Sequence, residues 1–499
     1  SYTSWNERTM PTTMSHRVRT WTPRLLFLLA SLLLLAQFTR AFAVFFTENQ
    51  FALQYPYGLD YGEGVVLDQT LRLSRGENIY RITLVDPPYY VSNYPPVFAL
   101  VQAPLALLFG PSFWYGRFIS ILSIIAAALF IGLIVHAITA DRLAGALAGV
   151  TLIAIPCIVY WSGLNRIDSL ALALSCAGLY TVVRGGHRLS GLFIGGLLFT
   201  ASIYTRQSYI VAAPFAAFVW LWRDQTRGRA FLLAALTLAM SGSVFVILNL
   251  ATGGGFLLNI VSANIGPFDW SSAIPMLAQL IQYSPLLIVG AAIACPGFVI
   301  LGIIKRNRAW WLATPYLIGA LIVALTIGKK GSNINYLYEL AVALCLVTGM
   351  LIAWQRAHLW RRALVLMLLA IQVGIMVNWH SEHYGRIGGV TSRLPEISKL
   401  AQIVQSKPAP VLADEDIDLV VLTRGALYYD PFARKQLAEA GLWNPAPFVD
   451  AILRKEFPVI LVHKNLREER WTSEMLSAIY ASYRIDQTLA GADVYVPIP

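Results

Sequence analysis

Leu25-Leu-Phe-Leu-Leu-Ala-Ser-Leu-Leu-Leu-Leu-Ala-Gln-Phe-Thr-Arg-Ala-Phe-Ala-Val-Phe-Phe46 decides the architecture. It is an apolar run interrupted by a single charge, Arg40. A helix crossing a bilayer needs about 20 such residues. The run is too long for the apolar region of a cleavable leader, and no small-x-small site follows it. It therefore reads as a spanning helix.

The rest of the chain repeats the pattern. Of 499 residues, 57% are hydrophobic and 13% charged. Soluble domains average about 25% charged residues and cannot hide this much apolar surface. Further spans read near 117–139, 144–161, 167–183, 190–204, 208–222, 231–250, 284–304, 310–327, 336–354 and 363–379, about eleven in all. The chain is thus expected to be an α-helical polytopic membrane protein. Val97–Phe109 follows Pro95-Pro96, contains Pro104 and is too short to cross, so it reads as juxtamembrane or re-entrant.

Charge sets the orientation. The net charge is +11. The basic residues sit at the ends of apolar runs, with no stripe of interleaved aromatics, which argues against a nucleic-acid partner. If Val97–Phe109 does not cross, six basic groups share one side: Arg17/Arg19/Arg24, Arg142, Arg184/Arg188, Arg223/Arg227/Arg229, Lys305/Arg306/Arg308 and Arg356/Arg361/Arg362. That arrangement satisfies the positive-inside rule. It puts residues 1–24 in the cytoplasm as a tail, makes 25–379 the transmembrane domain, and leaves 380–499 outside a plasma (inner) membrane. Residues 380–499 change character, with acids, prolines and short mixed segments. Strands are expected at 411–413, 459–462 and 494–496, and helices at 434–440, 448–455 and 473–482. The alternation predicts a small extracytoplasmic α/β domain.

The outer face holds the polar residues with chemical potential. The loop 47–115 contains Asp60-Tyr-Gly-Glu63-Gly64 among aromatics. Two carboxylates at this spacing share a face if the segment is helical. A partly desolvated carboxylate can serve as a base, though a solvated acidic loop has the same composition. Cations also gather at outer ends, against the topological bias: Arg117, Arg166, Arg206, Lys329 and Lys330. Such groups clamp phosphates or snorkel to lipid headgroups. Asp168, Asn335, Tyr336 and Glu339 accompany them.

Other motifs point elsewhere. Thr252-Gly253-Gly254-Gly255 reads as a loop hinge, and His380, Glu382 and His383 as a solvated interfacial cluster rather than a metal site. Cys157, Cys176, Cys295 and Cys345 lie in apolar runs without metal-ligand spacing and read as packing residues.

Taken together, the chain resembles membrane glycosyltransferases of the GT-C superfamily, near the protein O-mannosyltransferases and aminoarabinose transferases. The resemblance rests on order. A first span is followed by Asp60-Tyr-Gly-Glu63-Gly64, Arg72-Leu-x-x-Gly76-Glu-Asn-Ile-Tyr80, Asn93-Tyr94-Pro95-Pro96 and Gly116-Arg117. Arg166-x-Asp168, Thr205-Arg206-Gln207-Ser208 and Gly331-Ser-Asn-Ile-Asn335-Tyr336 come further on. Many relatives carry adjacent Asp-Glu, whereas Gly62 precedes Glu63 here. This leaves both Asp60 and Glu63 as candidates for the base.

The resemblance implies a sugar transferase using a polyprenyl-phosphate donor at the extracytoplasmic face, with hexosyl or pentosyl transfer to a hydroxyl of a protein, lipid or glycan. Glu63 or Asp60 would accept the proton, and the anomeric carbon would invert. The donor phosphate would meet some of Arg206, Arg166, Lys329, Lys330, Arg117, Tyr94, Asp168, Asn335 and Tyr336. The prenyl chain would lie in a groove between spans, near the short Val97–Phe109 segment. No metal or other cofactor is required by the scheme. A non-catalytic lipid-binding scaffold is the first alternative. A secondary transporter is a weaker one, because neither an internal repeat nor midplane charges appear in the sequence.

Overall fold

The computed structural model describes residues 13–223, 227–264, 266–304 and 308–499. Lys305 and Arg306 of one basic group lie outside the described residues, as do residues 1–12 of the expected tail.

Each apolar run becomes helical, because a helix alone satisfies its own backbone in lipid. Among the described residues, six helices are long and apolar enough to cross a bilayer: Thr22–Gln54, Trp114–Thr139, Arg227–Ala251, Pro285–Ile304, Ile334–Trp354 and Leu359–Ser406. The run expected as one span at 144–161 is two helices, Arg142–Leu152 and Pro156–Ser162, bent by 61°. Proline at the start of the second removes a backbone donor and breaks the ladder there. Counting that pair gives up to seven spans by length and composition. The runs expected at 167–183, 190–204, 208–222 and 310–327 form the shorter helices Asp168–Gly185, Leu189–Ile203, Ala212–Arg223 and Ala313–Leu325. Val97–Phe109 is a helix of 13 residues, about 20 Å at 1.5 Å per residue, too short for the hydrocarbon core.

The helix Tyr338–Trp354 is buried along nearly its whole length, so the others pack around it. Small residues allow the closest approaches. A Cβ on Gly349 would touch Ala148 at 2.7 Å and Val135 at 2.9 Å. The four cysteines are buried and unpaired.

The two ends of the bundle differ. At one end, Arg362 Nη2 meets Asp141 Oδ2 at 2.6 Å, and Arg356 Nη1 donates to the Thr139 carbonyl at 3.0 Å. These contacts place the basic groups around Arg142 and Arg356/Arg361/Arg362 together. At the other end three large pieces meet: the loop 47–115, the segment 251–283 and the C-terminal region. Asn259 Oδ1 accepts the Ser92 N–H at 3.2 Å, and Tyr89 pairs with Tyr429 as a backbone bridge.

The C-terminal region is mixed α and β. Leu412–Ala413 (β1), Ile460–His463 (β2), Tyr483–Leu489 (β3) and Ala492–Pro497 (β4) form a sheet in the order β1-β2-β4-β3. β1 is parallel to β2, and both pairs involving β4 are antiparallel. The expected strands match β1, β2 and β4. β3 escaped the reading because it is an edge strand, mostly exposed, whose residues do not alternate apolar with polar. Helices expected at 434–440, 448–455 and 473–482 are found at Pro431–Glu439, Ala446–Leu453 and Ser473–Ser482. Three more, Ile387–Ser406, Ile417–Arg424 and the single turn Arg467–Arg470, were not expected.

Candidate active site

The acidic motif opens the helix Tyr61–Ser74. Asp60 caps it: the backbone is extended, and Oδ2 accepts the Gly62 N–H at 2.9 Å. The three-residue spacing that puts Asp60 at the cap carries Glu63 into the interior, where it is fully buried. Arg117 meets it in a two-pronged pair, Nε to Oε1 at 2.9 Å and Nη2 to Oε2 at 2.8 Å. The amides of Leu59 and Asn165 add bonds of 2.7 and 2.5 Å. Burial alone would raise the Glu63 pKa, but Arg117 and these amides outweigh it and hold the carboxyl below the ordinary glutamate value.

Arg117 is equally enclosed. Its remaining donors go to the carbonyls of Ala52, Tyr55 and Tyr57 at 2.6 Å each. The expectation of Arg117 as a phosphate ligand therefore needs correction. Its guanidinium is consumed by Glu63 and the chain leaving the first span. Breaking such a buried pair costs about 3–5 kcal/mol, so its evident role is to lock the motif.

Asp60 is the accessible member of the two acids, with a side chain 21% exposed. Arg166 Nη1 lies 3.2 Å from its Oδ2, and Arg166 Nη2 donates to the Tyr94 hydroxyl at 3.1 Å. The guanidinium passes directly over Gly62, where a Cβ would coincide with Nη1. This accounts for the glycine between the acids. Gly116 is constrained in the same way, since a Cβ there would strike the side chains of Asn165 and Gln102.

A second cluster adjoins the first. Asp168, fully buried at the head of its helix, accepts from Arg206 Nη1, from Trp161 Nε1 at 2.9 Å and from Asn335 Nδ2 at 3.0 Å. The Arg206 guanidinium also covers the Tyr336 ring at 4.2 Å. Trp161 joins the clusters, because Arg166 stands over its ring at 5.5 Å. A contiguous path thus runs from Asp60 through Arg166, Trp161 and Asp168 to Arg206 and Tyr336.

The two lysines diverge. Lys329 Nζ donates to the Asn264 carbonyl and to its Oδ1, both at 2.8 Å, and its charge acts on Tyr336. Burial pushes the Lys329 ammonium below the usual lysine value. Lys330, expected beside it, points instead to Glu439 of the C-terminal region, 3.5 Å away, on a largely exposed surface. Adjacent residues in extended chain face opposite ways, which corrects that expectation.

Some groups at this face were not singled out by sequence reading. Arg386 pairs with Glu48 at 3.6 Å, covers the Tyr160 ring at 4.1 Å and donates to the Tyr160 carbonyl. His380 is only 2% exposed, next to Glu48, while His383 stacks on Trp379 at 4.4 Å. His380 is therefore not part of a solvated cluster. No pattern in the sequence marks Glu48, His380 and Arg386 as neighbours, since they come from separate elements. Among the described residues no group of three or more His, Cys, Asp or Glu could hold a metal ion. An apolar cleft of about 650 Å³, lined by residues such as Phe45, Gly132 and Gly149, holds none of the site's charged residues.

Residues 93–251 match a family model described as dolichyl-phosphate-mannose-protein mannosyltransferase. No curated protein matches the chain in sequence. Among solved structures, ArnT from Cupriavidus metallidurans bound to undecaprenyl phosphate superposes with a TM-score of 0.60 at 13% identity, over 93% of this chain and 98% of that one. The Archaeoglobus fulgidus oligosaccharyltransferase gives 0.58 at 11% identity, over 93% and 73%. The same organism's AglB, in complex with an inhibitory peptide and a dolichol-phosphate, gives 0.54 at 11%, over 92% and 75%.

Proposed function

We infer that the chain works as a GT-C glycosyltransferase: it has that helical membrane fold, and two of its structural neighbours were solved with undecaprenyl phosphate and with a dolichol-phosphate. From that premise we propose that it transfers a sugar from a polyprenyl-phosphate donor to an acceptor hydroxyl at the extracytoplasmic face. The observation that carries the reading is Asp60, a partly exposed carboxylate held against Arg166 beside a cluster of buried cations.

Asp60 is the general base. The acceptor oxygen attacks the anomeric carbon as its proton passes to an Asp60 oxygen. The bond from that carbon to the phosphate oxygen breaks, and its electron pair stays on the lipid phosphate. One displacement inverts the anomeric centre. Arg166, 3.2 Å away, orients the Asp60 carboxylate, and base catalysis of this kind contributes about 10²–10⁴ in rate. Arg206 and Lys329 face the charge growing on the leaving phosphate, and Asp168, Asn335 and Tyr336 hold Arg206 in place. Glu63 and Arg117 fix the motif.

The basic end of the bundle is cytoplasmic, with the first helix entering from that side. The C-terminal domain is extracytoplasmic in the plasma (inner) membrane. The prenyl chain lies along Val97–Phe109, whose Leu100, Leu107, Leu108 and Phe109 are exposed at the bilayer boundary.

The direct test is transfer of radiolabelled sugar from synthetic polyprenyl phosphate in proteoliposomes, with the product's anomeric configuration read by NMR. Inversion and its loss in Asp60→Asn are expected. Donor binding without turnover in the wild type overturns the catalytic reading in favour of a lipid-binding scaffold.

A further inference from the structure

The segment around the proposed base is also gripped from the far end of the chain. Asp418, in the helix Ile417–Arg424, accepts the Gly58 N–H through Oδ2 at 2.7 Å. Gly58 lies two residues before Asp60. A Cβ on Gly58 would meet the Asp418 carboxyl at 2.8 Å, and one on Gly64 would meet the Asp418 backbone nitrogen at 3.0 Å. The helix thus lies directly against both sides of the acidic motif. On the residue after Asp60, Tyr61 donates its hydroxyl to Asp430 Oδ1 at 2.8 Å, with Arg470 over its ring at 4.4 Å. Two turns further on, Asp68 Oδ1 accepts the Leu427 N–H at 2.7 Å, and Arg72 donates to the Leu427 carbonyl at 2.9 Å.

Successive amides then define the approach to Asp60. Gly58 N–H goes to Asp418, Leu59 N–H to Glu63 at 2.7 Å, and Gly62 N–H to Asp60 itself. Only the first of these depends on the C-terminal domain. Asp418 is 8% exposed and faces Glu63, Arg117 and Asp416. Keeping a carboxylate there is costly, and an apolar residue would fill the space without the penalty. The gain is a fixed amide beside the base. A side chain acting through such a bond controls geometry at the reacting atom, where a displacement of about 1 Å costs roughly 10²-fold in rate.

We propose that Asp418 is a positioning residue for the transfer reaction: the C-terminal domain, through its bond to the Gly58 amide, sets the conformation from which Asp60 acts. This rests on the reading of Asp60 as the base, and two measurements on the full chain in detergent or nanodiscs separate the two claims. The first is hydrogen–deuterium exchange over residues 55–64. Asp418→Ala should speed exchange there while distant helices keep their protection. Unchanged exchange overturns the clamp, whatever the reaction. The second is steady-state transfer. Asp418→Ala should lower kcat at least about tenfold with KM for the donor within about twofold. Asp418→Asn, which keeps an oxygen to accept the amide, should recover most of the rate. A loss shared equally by Ala and Asn, or matched by the fraction of unfolded protein, overturns the positioning role. Failure of the base assignment shows separately, as an Asp60→Asn variant that transfers at the wild-type rate.

Discussion

The Arg166 guanidinium occupies the space that a side chain on residue 62 would fill, so Gly62 and Arg166 are complementary. Arg166 in turn stands 3.2 Å from Asp60. Gly62→Ala should therefore displace Arg166 without touching either acid. The helix itself tolerates alanine better than glycine. The expected result is a fall in transfer of about 10²-fold, by misplacement of the Asp60–Arg166 pair, with little change in thermal stability. Activity and melting temperature measured on one preparation check it. A large drop in melting temperature would mean that the site responds to general destabilisation.

Asp60 and Glu63 should behave differently on loss of charge. Asp60→Asn removes a partly exposed group and should cost about 10²–10⁴ in rate while the protein folds normally. Glu63→Gln leaves Arg117 buried without its counter-charge and should cost about 3–5 kcal/mol of stability. Thermal unfolding of the two variants side by side distinguishes a reacting group from a lock. If Glu63→Gln melts like the wild type and only its rate collapses, the roles of the two acids are reversed.

This division was not legible in the sequence, and the reason is physical. The spacing of Asp60 and Glu63 announces a cap and a first helical turn. Which acid is enclosed depends on Arg117, 54 residues later, and on Asn165, 102 residues later. The apolar runs, by contrast, are readable because each must satisfy its own backbone within the bilayer. Arg166 and Arg206 stood out for a related reason, as cations at the end of the bundle where topology disfavours them. The bend between Leu152 and Pro156 was hidden because hydropathy is continuous across it. Asp418 and Asp430 could not be found, since their partners Gly58 and Tyr61 lie some 360 residues away and no periodicity links them.

Arg206 provides a further prediction. It is 6% exposed, bound to Asp168 and stacked on Tyr336. Its planar fork and its stacking are not reproduced by a lysine ammonium. Arg206→Lys should keep the charge and still lose transfer, with KM for the donor raised. Arg206→Ala should lose about 10²–10³ in kcat/KM, the scale for removing one preorganised donor from a developing oxyanion. A donor titration checks this. A change confined to acceptor KM would move Arg206 out of the phosphate site.

Asp418 carries a pH signature. Burial, with Glu63 adding to it, pushes its carboxyl up to about 6 from an ordinary aspartate value near 3.8. The folded state therefore binds the proton more tightly than the unfolded chain. The stability contribution of the group falls as pH rises from about 4 to about 6 and is constant above. At pH 7.5 the native protein carries the full cost of the ionised carboxylate, on the order of 3 kcal/mol. Asp418→Asn removes that cost. The variant should melt higher than wild type at pH 7.5, and its advantage should shrink as pH falls through 6 and vanish near 4. Glu63, whose pKa is lowered, is present in both proteins, so its own titration does not mask the difference. Melting curves of both proteins across that interval test the sign. An advantage that grows toward acid pH would require Asp418 to be stabilised as the anion by Arg117 and the Gly58 amide.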